Sequence, residues 1–561
     1  MLVFFKKFGQ ILCESKNVLL ELPERFIYLR SRVRTRIPLF SQYWESIFIG
    51  ILTFMLFTVL LHIAIFAHGF LLSDSAFNRV VTQEILAHQS FDYQDSIFGD
   101  NKLYLFYPKL FFIATTLFDL LFHPYGVVMF LAFAYCLFTL ALLLLAKKII
   151  GSSWYLLTIP LLLSQYMYWA RFGYYKAEAL LFAFELLFFV ALFVYLKNQR
   201  WQWIVLSAVF FSASIGIKQF GIILVPTTVI FLAYLIWRLR SHLGHVMIFI
   251  TVCFVLLIPV LGYQFTTTGT FFYPHIKPTF VGYIEKILHP VFSPPTYPVS
   301  SVYLDTFKYN QYYFFLHAES VIVFFKSISL VATSGTISLL SIPTLLAVLL
   351  FMLYKKGIFN VFFIIFLATL ITVFFFQITS LYYFSIIGFL TSILYIYPLK
   401  YFPRAITILL TCCISFLVLL NFYTSIPTYR NLVHLYRDLI TQYTRLGEWA
   451  TAYIPRRDTL LALNNCYDML YYTKHPCYEQ HLFMNQDDER LLDIRSAYDL
   501  KKFLATHSIS YLVIKNTPMK RPSLEIPHGV SKSYDTVTLS KNFYNKIYAT
   551  SDFAIFSLIN P

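Results

Sequence analysis

Stretches of about 20 apolar residues recur along the chain, separated by short loops rich in Lys and Arg. About 20 consecutive apolar residues are what an α-helix needs to cross the hydrocarbon core of a bilayer. So many of them cannot be hidden in a water-soluble globule. Of the 561 residues, 58% are hydrophobic and only 13% charged, against roughly 25% charged in an average soluble domain. This balance excludes a soluble enzyme and a disordered or collagen-like chain. The expected fold is a polytopic α-helical membrane protein with about eleven transmembrane helices. They fall near 46–68, 125–146, 152–169, 178–196, 202–217, 219–237, 245–263, 334–354, 359–377, 380–398 and 404–423.

The loops set the orientation. With the amino terminus inside, Lys147–Lys148, Lys197 to Arg200, Arg238 to Arg240, Lys355–Lys356 and Lys400 to Arg404 all fall on the cytoplasmic side, the positive-inside pattern. The formal net charge of +16 is thereby accounted for by membrane topology, and no RNA- or DNA-binding motif accompanies it. Residues 1–45 carry Lys6, Lys7, Lys16, Arg25, Arg30, Arg32, Arg34 and Arg36 among Phe and Leu, which suits a basic amphipathic segment on the cytoplasmic membrane surface. No small-residue cleavage site follows, so the first span is expected to remain as an anchor.

Three segments are then expected outside: a first loop at about 69–124, a Tyr/Pro-rich loop at about 264–330, and the tail at 424–561, where the composition turns to that of a soluble protein. In the tail, 429–453 and the stretch after Ser496 have helical patterning, and Tyr511-Leu512-Val513-Ile514 forms a strand pattern. A small α/β domain is expected, making 46–423 the membrane module. Five of the seven Cys lie in or near apolar segments; Cys466 and Cys477 lie in polar sequence. They are bridged if the tail faces an oxidising compartment and free thiols otherwise. No metal-ligand spacing occurs, and His275, His289 and His317 are scattered.

In the first loop, Ser73-Asp74-Ser75 follows span one directly. A helical stretch, Ala76 to His88, comes next, then a polar turn, then Tyr107-Pro108-Lys109-Leu110 opening a second apolar helix. A proline suits a first helical turn. Two amphipathic helices lying along the membrane interface account for the pattern. A carboxylate at such a junction is partly desolvated and can accept a proton from a docked hydroxyl. Asp74 is thus either a general base or an N-cap of the helix behind it. Glu178 and Glu185 are seven residues apart, on one helical face. Glu185 lies about two turns inside its span, where a carboxylate is costly and is either functional or structurally paired, with Lys176 or Tyr hydroxyls as partners. The tyrosines of the second loop suit sugar stacking or interfacial anchoring.

The order of span end, Asp with flanking Ser, helix, turn and Tyr-Pro-x-Leu resembles the GT-C superfamily of integral-membrane glycosyltransferases. Within it the chain is similar to the family 39-like group of protein mannosyltransferases, lipopolysaccharide sugar transferases and aminoarabinose transferases. Arg171-Phe-Gly-Tyr-Tyr-Lys-Ala-Glu178 resembles that group's Arg and Glu at the head of a span. Gly216-Ile-Lys218 resembles its Gly-x-x-Lys patch, and Thr268-Gly269-Thr270-Phe271-Phe272-Tyr273-Pro274 the opening of its second outer loop. Two departures stand out. Many relatives have Asp-Glu where this chain has Asp74-Ser75, and Pro-Pro where it has Pro108-Lys109.

The resemblance implies transfer of a sugar, with inversion, from a polyprenyl-phosphate donor to a hydroxyl of a cell-envelope acceptor (lipopolysaccharide, other glycan or protein) on the periplasmic face of the inner membrane. Asp74 is the expected base. Arg79, Lys109, Arg171, Lys218 and Lys277 are the expected phosphate-binding cations, since charge grows on the leaving phosphate as the bond breaks. Tyr107, Glu178, Glu185, Tyr382 and Tyr383 are expected to orient substrate. A divalent metal is possible, since some relatives use one; no other cofactor and no nucleic acid are expected. Three alternatives compete. A ligase of preassembled glycans would show more Arg in the second loop. A transporter or flippase would show charge deep in several spans. An inactive scaffold would be indifferent to Asp74→Asn.

Overall fold

A computed structural model describes residues 74–89, 109–151, 153–158, 175–218, 224–238, 243–268, 396–401, 437–462, 466–479, 508–515, 544–550 and 553–558, with isolated positions at 50–61, 221, 393–434 and 505. The expected spans at 334–354 and 359–377, most of the loop at 264–330 and the segment 1–45 lie outside the described residues. The chain divides into two units, Met1–Val59 and Leu60–Pro561. The described residues of the first unit are helical.

The second unit begins with α1 (Asp74–His88) and α2 (Lys109–Phe122). α1 starts two residues earlier than the sequence pattern suggests, so Asp74 is its first helical residue rather than a cap ahead of it. Three long apolar helices follow, α3 (Gly126–Ile150), α4 (Glu178–Asn198) and α7 (Leu243–Thr268), with the shorter α5 (Trp201–Ile217) and α6 (Leu224–Arg238) between α4 and α7. α3, α4 and α7 are each long and apolar enough to cross a membrane. The pattern places these elements within a few residues, because length and apolarity alone define them. Of the expected span at 152–169, the described part is a short 3₁₀ turn, Ser153–Leu157.

Neighbouring helices pack as α2–α3, α3–α4, α4–α5, α5–α7 and α6–α7. Large rings fill the seams: Phe138 faces Phe182, Phe188 faces Phe211, and Phe211 faces Phe249. The turns obey local chemistry. α3 ends at Gly151 with φ of 65°, a left-handed cap whose N–H bonds the Lys147 carbonyl at 3.0 Å. Lys147 and Lys148 in that last turn complement the helix dipole. Lys197 closes α4 and Arg200 precedes α5 at the same end of the bundle. The heads of α3 and α4 and the C-terminus of α5 therefore share the opposite end.

In the tail, a helix at 437–453 (α8) leads into β1 (Thr459–Ala462), α9 (Cys466–Thr473), β2 (Cys477–Glu479), β3 (Ile509–Lys515), β4 (Tyr544–Ala549) and β5 (Phe553–Leu558). They make a five-stranded sheet in the order β2-β1-β3-β5-β4. β1 pairs in parallel with β2 and β3, while β5 is antiparallel to β3 and β4. Leu460, Leu512, Val513, Ala554 and Ile555 are buried. α8 covers the sheet through Tyr443 on Phe553 and Trp449 on Tyr548, with ring centroids 5.0 and 4.4 Å apart. Cys477 is disulfide-bonded, while the Cys466 side chain lies outside the described residues.

Candidate functional site

Polar side chains join α1 to α2. Arg79 of α1 meets Asp119 of α2 at 2.6 Å, with side-chain exposures of 9% and 2%. One turn on, the Thr82 hydroxyl lies 3.1 Å from that of Thr115 and 3.2 Å from the Tyr175 hydroxyl. Asn78 donates to the Tyr175 carbonyl at 2.8 Å. Burial pushes the Tyr175 hydroxyl up to about 12, so it remains a neutral donor at physiological pH. Phe111 and Phe130 enclose its ring. The other face of α2 presents Ile113, Leu117, Leu120 and Leu121 outward, an apolar stripe at helical spacing suited to the membrane interface.

Tyr175 links this network to a second group of charges. It stands three residues before Glu178, the first residue of α4, and the Glu178 carboxylate receives the Lys218 ammonium at 2.7 Å. A carboxylate in a first helical turn is favoured by the dipole. Lys218 follows α5 directly, two residues after Gly216, whose Cα faces Leu110 of α2. Beside Leu110, the Lys109 ammonium lies 5.1 Å from the centre of the Tyr263 ring on α7, within cation–π range. Lys109, Glu178, Lys218 and Tyr263 thus gather at the end of the bundle remote from Lys147, Lys148 and Lys197. Asp74 heads α1 one turn before Asn78, on the helical face that Asn78 pins to Tyr175.

Of the residues expected from sequence, the structure brings Lys109, Lys218 and Glu178 to one bundle end and joins the latter two. Arg79 engages Asp119. Glu178 is paired with Lys218. Glu185 is 1% exposed, with Oε1 lacking a partner among the described residues. The Asp74 side chain lies outside the described residues, as do Tyr107, Arg171, Lys277, Tyr382 and Tyr383. Asp119, Tyr175 and the two threonines were missed. Asp119 carried a signal: it is the single acid in the otherwise apolar Lys109–Phe122 helix, where an unpaired charge would be costly. Among the described residues, no three His, Cys, Asp or Glu side chains converge as a metal site.

No family model and no curated protein matches the sequence. Solved structures do match the fold. ArnT from Cupriavidus metallidurans bound to undecaprenyl phosphate superposes with a TM-score of 0.56 at 11% identity, over 92% of this chain and 98% of that one. The chain has the GT-C fold. The apo state of the same ArnT gives a TM-score of 0.55 at 11% identity and equal coverage. The apo oligosaccharyltransferase of Archaeoglobus fulgidus gives 0.50 at 11% identity, over 82% of this chain and 69% of that one. At such identity the GT-C fold is shared while side chains are free to differ, which gives the local geometry its weight.

Proposed function

We propose that this protein is a membrane glycosyltransferase that moves a sugar from a polyprenyl-phosphate carrier to a hydroxyl of a cell-envelope acceptor on the outer face of the inner membrane. The observation that carries the proposal is the gathering of Lys109, Lys218 and Glu178 at the bundle end opposite the basic loops, in a fold that superposes on ArnT bound to undecaprenyl phosphate. The disulfide at Cys477 supports an oxidising environment for the tail, and so an outward-facing site.

In this proposal the acceptor oxygen attacks the anomeric carbon while the bond from that carbon to the phosphate oxygen breaks. The acceptor proton passes to the Asp74 carboxylate and the polyprenyl phosphate departs with the bonding electrons. Lys109 and Lys218 stabilise the growing phosphate charge as point charges. Lys109 heads α2, where the helix dipole disfavours a cation and favours an anion, so an arriving phosphate relieves the mismatch. Glu178 keeps Lys218 oriented, and Tyr263 provides an aromatic face against Lys109. Arg79, engaged by Asp119, contributes to the architecture of the loop instead of touching phosphate.

Mass spectrometry of envelope glycans from a deletion strain, complemented with wild type or Asp74→Asn, tests the proposal. Loss of one sugar mass in the deletion, restored by wild type and not by the variant, is the expected outcome. Restoration by Asp74→Asn removes the base from the mechanism, and an unchanged glycan in the deletion removes the activity.

A further inference from the structure

The approach to α4 is fixed at one residue, Tyr175, which is 1% exposed and touches three other helices. Its ring centre lies 6.0 Å from that of Phe111 on α2 and 5.8 Å from that of Phe130 on α3. Those two rings meet edge to face at 5.6 Å. Two hydrogen bonds tie Tyr175 to α1. Its backbone carbonyl accepts from Asn78 Nδ2 at 2.8 Å, and its hydroxyl lies 3.2 Å from the Thr82 hydroxyl. A threonine hydroxyl has a single proton to give. That of Thr82 goes to the Asn78 carbonyl at 2.8 Å, and that of Thr115 to the Phe112 carbonyl at 3.1 Å. The Tyr175 hydroxyl is therefore the donor to Thr82. Asn78 and Thr82 are one turn apart on one face of α1, so the pair of bonds fixes both the height of that helix and its rotation.

We propose that Tyr175 is a positioning residue that hangs α1 on the head of α4, and so sets where Asp74 stands relative to the Glu178–Lys218 pair. The inference rests on the proposed role of Asp74 as the base. Asp74 opens α1 four residues before Asn78, and Glu178 opens α4 three residues after Tyr175. Lys218 is 2.7 Å from the Glu178 carboxylate. The base and the phosphate-facing cation thus belong to different elements, and Tyr175 relates them: to Glu178 through the chain, to α1 through Asn78 and Thr82. Without the hydroxyl, the Asn78 bond remains and α1 is free to turn about it. A base displaced by about 1 Å can lose roughly a hundredfold in rate, while Lys109 and Lys218, carried outside α1, still meet the phosphate.

Tyr175→Phe, Thr82→Val and the double variant test this role. Phenylalanine keeps the ring between Phe111 and Phe130 and leaves the backbone carbonyl to Asn78; valine removes the accepting oxygen from the α1 side. Full-length protein in nanodiscs gives hydrogen exchange and the affinity for undecaprenyl phosphate. The deletion strain complemented with each variant gives the rate at which the missing sugar mass returns after induction. Amides of residues 74–82 are expected to exchange several-fold faster and sugar transfer to slow about tenfold or more in each single variant, with undecaprenyl phosphate bound as tightly as by wild type. The double variant is expected to fall no further than Thr82→Val alone, because both changes break the same bond. Asn78→Ala, which removes the other tie, carries the same expectations and stands in should Tyr175→Phe fail to fold. Unchanged exchange, a wild-type transfer rate, weakened undecaprenyl phosphate binding, or a double variant whose loss is the product of the single losses overturns the positioning role. A deletion that leaves the envelope glycan unchanged overturns the glycosyltransferase proposal instead, and the exchange measurement still decides whether Tyr175 holds α1.

Discussion

Arg79 and Asp119 are oppositely charged, nearly dry and 2.6 Å apart, and such a pair is sensitive to the loss of one member. Removing Arg79 leaves a carboxylate with no compensating charge in a packed interior, where cutting a buried pair typically costs about 3–5 kcal/mol. Arg79→Ala is therefore expected to lower the thermal midpoint in detergent markedly. The double replacement Arg79→Met with Asp119→Leu should recover most of the loss, because apolar groups of similar volume carry no desolvation cost. A double variant as unstable as the single one would show that the pair is needed for more than neutralisation. Arg79 also marks where sequence reasoning stops. Its basicity and position near Asp74 were legible and suggested a phosphate ligand; its partner, 40 residues away in sequence, was not.

Among elements, legibility follows the range of the forces involved. α3, α4 and α5 could be placed to within a few residues because bilayer-length apolarity is a local property. The strand β3 at Ile509–Lys515 was seen as Tyr511–Ile514 from its short apolar run, whereas β2 is three residues long and exists because β1 pairs with it. The α1–α2 seam was invisible for a related reason. Thr82, Thr115 and Asn78 resemble ordinary helix-surface residues until Tyr175, 97 positions after Asn78 and 93 after Thr82, arrives between them. The junction of α2 and α3 offers a test at this scale. A Cβ on Gly126 would overlap the Asp119 backbone and carboxylate, and backbone cannot yield as a flexible side-chain end can. Gly126→Ala is expected to push Asp119 off Arg79 and to destabilise by about 1–3 kcal/mol. Gly216→Ala, where the added carbon meets only Leu110 side-chain atoms at 3.5 Å, should stay within about 0.5 kcal/mol. Equal thermal midpoints for the two variants would refute the close-approach argument.

For the whole molecule, the apolar bundle and the mixed sheet have different sensitivities, and alkaline pH separates them. Tyr471 and Tyr472 sit where α9 meets α1 and α8, and burial raises both hydroxyls above the ordinary tyrosine value of about 10. The folded state then retains protons that the unfolded chain releases, so the stability present below about pH 10 is lost as pH climbs toward the raised folded values. Lys474 acts in the opposite sense. Its lowered ammonium makes the folded state release a proton first, and its effect on stability rises with pH from that lowered value until the unfolded amine titrates near 10.4. The net expectation is a thermal midpoint that holds or rises slightly from pH 8 toward 10 and then falls steeply. Tyr472→Phe should flatten the fall without removing the rise, and Lys474→Gln should remove the rise and keep the fall. Near-UV circular dichroism of the full-length protein across this range reports tertiary packing at the aromatic joint, while the far-UV signal is dominated by the bundle. If the sheet region undocks as its tyrosines ionise, the near-UV transition precedes the far-UV one above pH 10. Coincident transitions at every pH would mean that tail and bundle unfold as one cooperative body and that the joint between α9 and α1 is as stable as the bundle itself.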